Sequence, residues 1–165
     1  MHIIIIDVNV LVDEALCSVV GSLEEEQATK LLELVCANKI PFGISAAMLK
    51  DLKHLIEART KLLFMKEYGK LKPEDCSFIK QFADKKIEWY LENATIISEG
   101  LVDCRMAHSL LKVHSDYEDN LVTAIAIRTD ATGIVTRDKA FAKSCQVKCF
   151  TPAEAILTIN AGLWH

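Results

Sequence analysis

Hydrophobic residues follow two alternating patterns along the chain. Short apolar runs predict strands at 2–6, 42–45, 94–98, 133–136 and 147–150. The first of these, "HIIII", is continuously apolar, which is typical of a strand buried on both faces. Apolar residues spaced by threes and fours predict helices between the strands. These helices are predicted at 9–20, 23–38, 45–69, 73–93, 101–112 and 116–131, with a short one after the fourth strand and a last one from Pro152.

The alternation of strands and helices predicts an α/β domain with a mainly parallel sheet. The chain has 165 residues, about the length of one domain. No glycine- or serine-rich linker, repeat or low-complexity stretch divides it. We therefore expect a single domain over residues 1–165.

Composition limits the classes of partner. Apolar residues make up 51% of the chain and charged residues 25%, and the formal net charge is −4. A protein with this net charge has no overall positive potential that would attract nucleic acid. Any contact with nucleic acid must therefore use a local group of basic residues or a bound metal ion. No apolar run approaches 18 residues, so we expect a cytoplasmic protein with no membrane association. In that compartment the six cysteines (17, 36, 76, 104, 145 and 149) should be free thiols.

Four aspartates occupy positions at which α/β proteins commonly carry their functional residues. Asp7 follows the first strand and Asp138 follows "GIVT", so both lie at the carboxyl edge of the sheet. Asp51 lies about two turns into the helix after "FGIS", and Asp119 lies near the start of the 116–131 helix. Each could simply cap or solvate a helix. Together, however, such carboxylates would repel unless a cation neutralised them, and clustered oxygen ligands suit Mg²⁺ or Mn²⁺.

The stretch "HSDYEDN" contains two further acids. Ser115 and Glu118 have the spacing of a capping box, so we expect Glu118 to serve the helix start. Asp116 and Asp119 are three apart and share a face, which makes Asp119 the stronger metal ligand and Asp116 a candidate partner.

Two polar residues beside the acids remain open to two readings. Asn9 and Thr136 could orient ligands or bind a phosphate oxygen, or could be an ordinary helix cap and a strand-end hydroxyl.

Four segments together resemble the acidic motifs of PIN-domain nucleases in order and spacing. They are "IIIIDVNVLVD", "ISAAMLKDL", "DYEDNLVTAIA" and "IVTRDKAF". The resemblance runs from residue 2 to about 150 and is looser over 66–112. It implies a three-layer α/β/α sandwich with a five-stranded parallel sheet and a Mg²⁺- or Mn²⁺-dependent ribonuclease site. The family's acids fall on Asp7, Asp51, Asp119 and Asp138, although the second is often glutamate in the family.

The resemblance favours a metal-dependent enzyme that hydrolyses single-stranded RNA. Single-domain proteins similar to this family are often toxins of prokaryotic toxin–antitoxin pairs, which would imply an antitoxin partner and leaves a homodimer open. The alternative is a binding or assembly domain that has lost cleavage. A receiver-like phosphoryl-transfer domain is disfavoured, because the third strand ends in Ser98-Glu99 rather than an acceptor aspartate.

Basic residues are candidates for substrate contact. Residues 50–72 carry seven Lys/Arg against three acids, which fits either a solvated helix face or a surface for a phosphate backbone. Arg137 and Lys139 flank Asp138 and are better placed to bind phosphate. No aromatic-studded basic strip predicts readout by stacking. Cys104 and His108 are four apart, but no second pair completes a zinc site, so a core thiol and a surface histidine are expected.

Overall fold

The computed structural model describes residues 3–19 and 21–164, so residues 2 and 20, the ends of two predicted elements, lie outside the described part. The strands are β1 (Ile4–Ile6), β2 (Phe42–Ser45), β3 (Thr95–Ile97), β4 (Gly133–Val135) and β5 (Cys149–Phe150). The helices are α1 (Val8–Leu16), α2 (Leu23–Ala37), α3 (Ala46–Tyr68), α4 (Pro73–Asn93), α5 (Leu101–Leu110), α6 (Tyr117–Arg128), α7 (Lys139–Ser144) and α8 (Pro152–Asn160). Each predicted strand and helix is confirmed, and the ends differ by a few residues, most at α1, which stops at Leu16.

The five strands form one parallel sheet in the order β3-β2-β1-β4-β5. The chain thus builds outward from β1 on one side and then returns to add β4 and β5 on the other. β1 lies at the centre, between β2 and β4, as its continuous apolar run predicted. The reversal of strand order between β1 and β4 makes their carboxyl ends the natural crevice of this sheet.

Alternate residues of β1 face two separate hydrophobic layers. Ile4 and Ile6 pack with residues of α1, α2, α3, α4 and α8, whereas Ile3 and Ile5 pack with residues of α6 and α7. The period of two along the strand therefore divides the helices between the two faces of the sheet. The three-layer α/β/α sandwich is confirmed. Within the described residues, no helix combines the length and apolar character needed to span a membrane.

Candidate active site

Asp7 lies at the carboxyl end of the central strand, and its backbone is fixed by the neighbouring strand. Its amide N donates to the carbonyl of Val135 at 3.0 Å, and the amide of Thr136 donates to the carbonyl of Phe150 at 2.9 Å. The ladder of β1, β4 and β5 therefore sets the relative positions of Asp7 and Thr136. Both residues lie at the crevice made by the reversal of strand order.

The Asp7 carboxylate is buried and accepts three hydrogen bonds. Its side chain is 4% exposed. Oδ1 accepts from the amide of Val8 at 2.7 Å, and Oδ2 accepts from Asn9 Nδ2 and Thr136 Oγ1, each at 2.6 Å. Burial raises the pKa of Asp7 to about 6, which these hydrogen bonds oppose. The nearby carboxylates of Asp119 and Asp138 raise it further.

Thr136 and Asn9 connect the end of β1 with the loop after β4. The Thr136 hydroxyl donates to Asp7 and accepts from the amide of Asp138 at 3.0 Å and from Asn9 Nδ2 at 3.2 Å. One donor and two acceptor positions are thereby filled, which is the full capacity of a hydroxyl. Asn9 Oδ1 also accepts from the amide of Arg137 at 3.2 Å. Both residues thus orient Asp7, while their contact with substrate stays a prediction.

Asp138 follows β4 and caps α7. Its Oδ1 accepts from the amides of Ala140 and Phe141 at 2.7 and 2.9 Å. The residue is exposed, and its charge acts on both Asp7 and Asp119. Asp138 can therefore cap α7 and act beside the other acids at the same time. Its Oδ1 accepts the amide hydrogen bonds of the helix start, and its Oδ2 remains for another contact.

Asp119 lies in the first turn of α6 and contacts His114. Nε2 of His114 lies 2.7 Å from Oδ2 of Asp119, and Asn120 Nδ2 donates to the backbone carbonyl of His114 at 2.7 Å, which fixes the backbone of the loop before α6. Burial raises the pKa of Asp119, the contact with His114 lowers it, and the charges of Asp116 and Asp138 raise it again. Asp7, Asp119 and Asp138 thus lie close enough for their charges to interact, and we call these three residues the acidic cluster.

The start of α6 differs from the predicted capping box. The N-cap is Asp116, whose Oδ1 accepts from the amides of Glu118 and Asp119 at 2.8 and 3.4 Å. The prediction that Ser115 and Glu118 form the box was wrong, because the helix begins one residue later and the aspartate accepts both amide hydrogens. Asp116 is thus engaged in capping, although its charge still acts on Asp119.

Asp51 lies on an exposed part of α3, and its electrostatic neighbour is Glu118. Burial raises the pKa of Glu118, and the charges of Asp51 and of the acids in α6 raise it further. The charge of Asp51 therefore reaches Glu118, which directly precedes Asp119 in α6, and a direct role of Asp51 beside Asp7 and Asp119 stays a prediction.

Arg137 is held by a buried acid. Its Nε lies 2.5 Å from Oδ2 of Asp13, and its second guanidinium nitrogen donates to Oδ1 at 2.8 Å. Asp13 is 1% exposed and also lies 3.7 Å from Arg59. As built, the guanidinium serves this ion pair rather than a phosphate, which was not predicted. Lys139, by contrast, is exposed at the first position of α7 beside Asp138.

Asp13, which contributes to the site, was not identified from the sequence. It lies among the apolar residues of α1, and a carboxylate in that setting is itself a signal of a buried ion pair. The sequence placed His114 where it could approach the site but assigned it no role, and the structure shows its contact with Asp119.

The acidic cluster fits a divalent cation in charge and donor chemistry. All three side chains offer carboxylate oxygens, the ligands of Mg²⁺ and Mn²⁺, and a cation would relieve the repulsion that raises the pKa values of Asp7 and Asp119. A carboxylate has about four acceptor positions, of which Asp7 uses three. Within residues 3–19 and 21–164, however, no group of three or more His, Cys, Asp or Glu side chains is placed so that it could hold a metal ion, so the fit rests on charge and donor type.

The cysteines are free thiols. All six are unpaired, and most are partly buried. Cys104 is partly buried and His108 is exposed, the arrangement expected from the sequence.

Comparison with known proteins identifies a family and solved structures of similar fold. A family model described as PIN domain matches residues 3–140. A solved structure described as VapBC2 from Rickettsia felis, bound to a DNA fragment from its promoter, has a TM-score of 0.61 and is 17% identical. The match covers 91% of this chain and 98% of that chain. At this identity the neighbour shows the fold alone. No curated protein matches the chain.

Proposed function

We propose, from the premise that the chain belongs to the PIN-domain family of nucleases, that it is a metal-dependent endoribonuclease acting on single-stranded RNA. The observation that carries the proposal is the buried Asp7 carboxylate at the crevice of the sheet, whose pKa is raised by burial and by the charges of Asp119 and Asp138. The charge of Asp138 also raises the pKa of Asp119. Repulsion of this kind is expected where carboxylates serve to bind a cation.

In this proposal Asp7, Asp119 and Asp138 hold one or two ions of Mg²⁺ or Mn²⁺. A bound dication supplies Lewis-acid chemistry: it polarises the scissile phosphate and makes water a stronger nucleophile at neutral pH. Thr136 and Asn9 fix Oδ2 of Asp7 and leave an acceptor position on Oδ1 toward the site. His114 fixes one oxygen of Asp119 in the same way.

Substrate contact is assigned to exposed groups at the rim of the cluster. Lys139 lies next to Asp138 and can approach a phosphate without breaking any ion pair seen within the described residues. Arg137 would first have to leave Asp13, so its contribution is to hold the loop after β4 in place. Asp51 would act on a metal directly or through water, and its charge reaches Glu118, the residue before Asp119.

The decisive experiment measures cleavage of a labelled single-stranded RNA with Mn²⁺, with EDTA, and with the Asp7→Asn and Asp138→Asn variants. Cleavage should require the metal and should be lost in both variants, while circular dichroism shows that their folds are intact. Retained cleavage by carefully purified Asp138→Asn protein would rule out the site. Lys30 is exposed on α2, and a Lys30→Ala variant purified in the same way controls for activity lost during preparation.

We also propose that the enzyme is of the toxin type and is held inactive by a cognate antitoxin. Support comes from family resemblance and from the VapBC2 neighbour, whose structure was solved on promoter DNA. Co-expression with the product of an adjacent small gene should restore growth to cells that express the wild-type protein. Asp7→Asn should need no such relief.

A non-catalytic binding domain is the competing proposal, and it is left open by Asp51, an aspartate where the family often has glutamate. Mn²⁺ titration discriminates the two. A folded protein that shows neither binding heat nor a thermal shift would support the binding domain.

A further inference from the structure

Two cysteines lie beside one another between the end of α7 and the start of β5. The amide of Val147 donates to Sγ of Cys145 at 3.4 Å, and Sγ of Cys149 donates to the carbonyl of the same Val147 at 3.5 Å. The Cys149 thiol also hydrogen-bonds to the sulfur of Cys145. We call Cys145 and Cys149 the thiol pair. Their sulfurs meet across one short turn of the chain.

The surroundings of Cys145 favour its thiolate form. Oγ1 of Thr123 lies 3.3 Å from its sulfur, and the Val147 amide points at the same atom. The Cys149 thiol has the strongest effect on the pKa of Cys145 and lowers it, whereas burial acts in the opposite direction. The Thr123 hydroxyl and the Val147 amide also lower this pKa, so the net shift is downward. The thiolate is the reactive form of cysteine, which makes Cys145 the nucleophile of the pair.

The thiol pair is accessible to a small oxidant. Both cysteines are partly buried, and Gln146 and Lys148 between them are exposed. Exposure alone does not distinguish the pair, because Cys36 is more exposed. However, partial burial and the charge of Glu14 raise the pKa of Cys36. Cys145 therefore combines access with a stabilised thiolate, and a second thiol lies next to it.

We propose that the thiol pair is a peroxide-sensitive modification site, at which hydrogen peroxide oxidises Cys145 and Cys149 then closes a reversible disulfide. In the first step the Cys145 thiolate attacks one peroxide oxygen. An S–O bond forms, the O–O bond breaks and hydroxide leaves with the electron pair, which gives a sulfenic acid. In the second step the sulfur of Cys149 attacks the sulfenic sulfur. The S–S bond forms, the S–O bond breaks, and the proton of Cys149 leaves with the hydroxide as water.

The short helix α7 joins the thiol pair to the acidic cluster. Asp138 is the N-cap of α7 and Cys145 is its C-cap. Phe141 connects these ends, because its amide donates to Oδ1 of Asp138 and its carbonyl accepts from the amide of Cys145, each at 2.9 Å. Cys149, by contrast, is held in the sheet, where it pairs with Ile134 of β4. Closing the disulfide should therefore move α7 rather than the strand.

Two further contacts lead from the thiol pair to Asp119. The ring centroids of Phe141 and His114 are 6.1 Å apart, and His114 contacts the Asp119 carboxylate. Thr123 lies between the sulfur of Cys145 and the carbonyl of Asp119, to which its hydroxyl donates at 3.0 Å. We therefore expect the disulfide to displace Asp138 and Asp119 and to weaken binding of a divalent ion. This consequence, unlike the thiol chemistry, rests on the proposed function.

The first test maps the disulfide and needs no activity measurement. Reduced protein is treated with hydrogen peroxide, its remaining thiols are blocked with N-ethylmaleimide, and it is digested with trypsin without reduction. Trypsin cleaves after Lys143 and Lys148, which separates the two cysteines. Peptides 144–148 and 149–165 should therefore remain joined by the disulfide alone and should separate on addition of dithiothreitol.

Three variants assign the roles within the pair. Cys145→Ala should abolish the joined peptides. Cys149→Ala should stop the reaction at the sulfenic acid of Cys145, which dimedone traps. Cys36→Ala, which removes the exposed thiol on α2, is the matched control and should form the joined peptides at a rate within about twofold of wild type.

The second test measures Mn²⁺ affinity by calorimetry before and after oxidation. Groups that hold metal ligands in position typically contribute 10–100-fold, so the disulfide should lower the affinity at least about tenfold. Reduction, followed by removal of the reductant, should restore it. Cys145→Ala should give the same Mn²⁺ affinity before and after peroxide treatment, which controls for oxidation elsewhere in the protein.

The outcomes separate the thiol pair from the proposed function. If the two peptides are never joined, or if Cys145 reacts no faster than Cys36, the proposal is overturned. A disulfide that leaves Mn²⁺ affinity unchanged would overturn its effect on the acidic cluster and keep the modification site. If the disulfide forms in a protein that binds no Mn²⁺ even when reduced, the proposed function is rejected and the thiol pair remains.

Discussion

The Thr136 hydroxyl donates a 2.6 Å hydrogen bond to Oδ2 of Asp7, joining two residues that are 129 positions apart in the chain. The same hydroxyl accepts from the amide of Asp138. One side chain therefore sets the position of two members of the acidic cluster. Neither the strand pairing nor the helix caps alone would fix the position of the Asp7 side chain relative to Asp138.

Thr136→Val should weaken the site without unfolding the protein. The isosteric change leaves the Asp138 amide without its acceptor and removes a hydrogen bond to a buried carboxylate, at a cost of about 1.5–3 kcal/mol in the free energy of unfolding. Because groups that orient metal ligands typically contribute 10–100-fold, Mn²⁺ affinity by calorimetry should fall by about that factor. Thr136→Ser keeps the hydroxyl and should stay close to wild type; equal losses in both variants would contradict the orienting role.

Asp7 should make the metal-free protein less stable as pH rises. Its pKa is raised from 3.8 to about 6, so the folded state holds a proton that the unfolded chain has released. The free energy of unfolding should therefore fall between about pH 4 and 6 and level off above, by up to ~3 kcal/mol from roughly two pKa units. The raised pKa of Asp119 acts in the same direction.

Urea unfolding in EDTA across this pH range measures the effect. Asp7→Asn should flatten most of the slope, and Mn²⁺ should restore stability to the wild-type protein at neutral pH. If the slope of unfolding free energy against pH is the same in Asp7→Asn as in the wild-type protein, the pKa of Asp7 is not raised in the folded state.

Replacing Arg137 should lower the stability of the protein, whereas replacing Lys139 should weaken its binding to RNA. Arg137→Met leaves buried Asp13 with only the more distant Arg59, which should lower the free energy of unfolding by about 3 kcal/mol. Replacing the acid as well, in Asp13→Leu/Arg137→Met, should recover much of that loss. Lys139→Ala should change stability by less than about 0.5 kcal/mol but lower the salt slope of RNA binding by about 0.7. The reverse pattern would assign Arg137 to substrate.

Asp119 and Asp51 should differ in their effect on cleavage. Asp119→Asn removes a charge that acts directly on Asp7, so kcat/KM should fall at least about 100-fold, whereas Asp51→Asn should cost less than about 10-fold. Initial rates at saturating Mn²⁺ provide the comparison. Equal losses would place Asp51 among the metal ligands after all.

The strands and helices were predictable because their signals are local. The apolar run at 3–6, the period of α3 and the proline that starts α4 each act over a few residues. The convergence of Asp7 and Asp138 was also predictable, since both follow parallel strands and such strands end at one edge.

Contacts between distant segments were not predictable from single positions. Arg137 finds Asp13 124 residues away, and nothing beside Arg137 in the sequence marks that partner. Asp51 was placed near the site by counting turns, and its charge does act on Glu118, the residue before Asp119, but a count of turns does not say whether its carboxylate reaches a metal. The N-cap of α6 was missed by one position, because serine and aspartate are both good caps and only the backbone decides between them.

The order of the strands also means that the crevice of the sheet is completed late in synthesis of the chain. β1 has β4 as one of its two neighbours, and Thr136 follows Asp7 by 129 residues along the chain. A nascent chain on the ribosome therefore exposes Asp7 long before Thr136 and Asp138 exist to join it. Truncated products of translation would lack the assembled centre, whatever portion of the sheet they had managed to form.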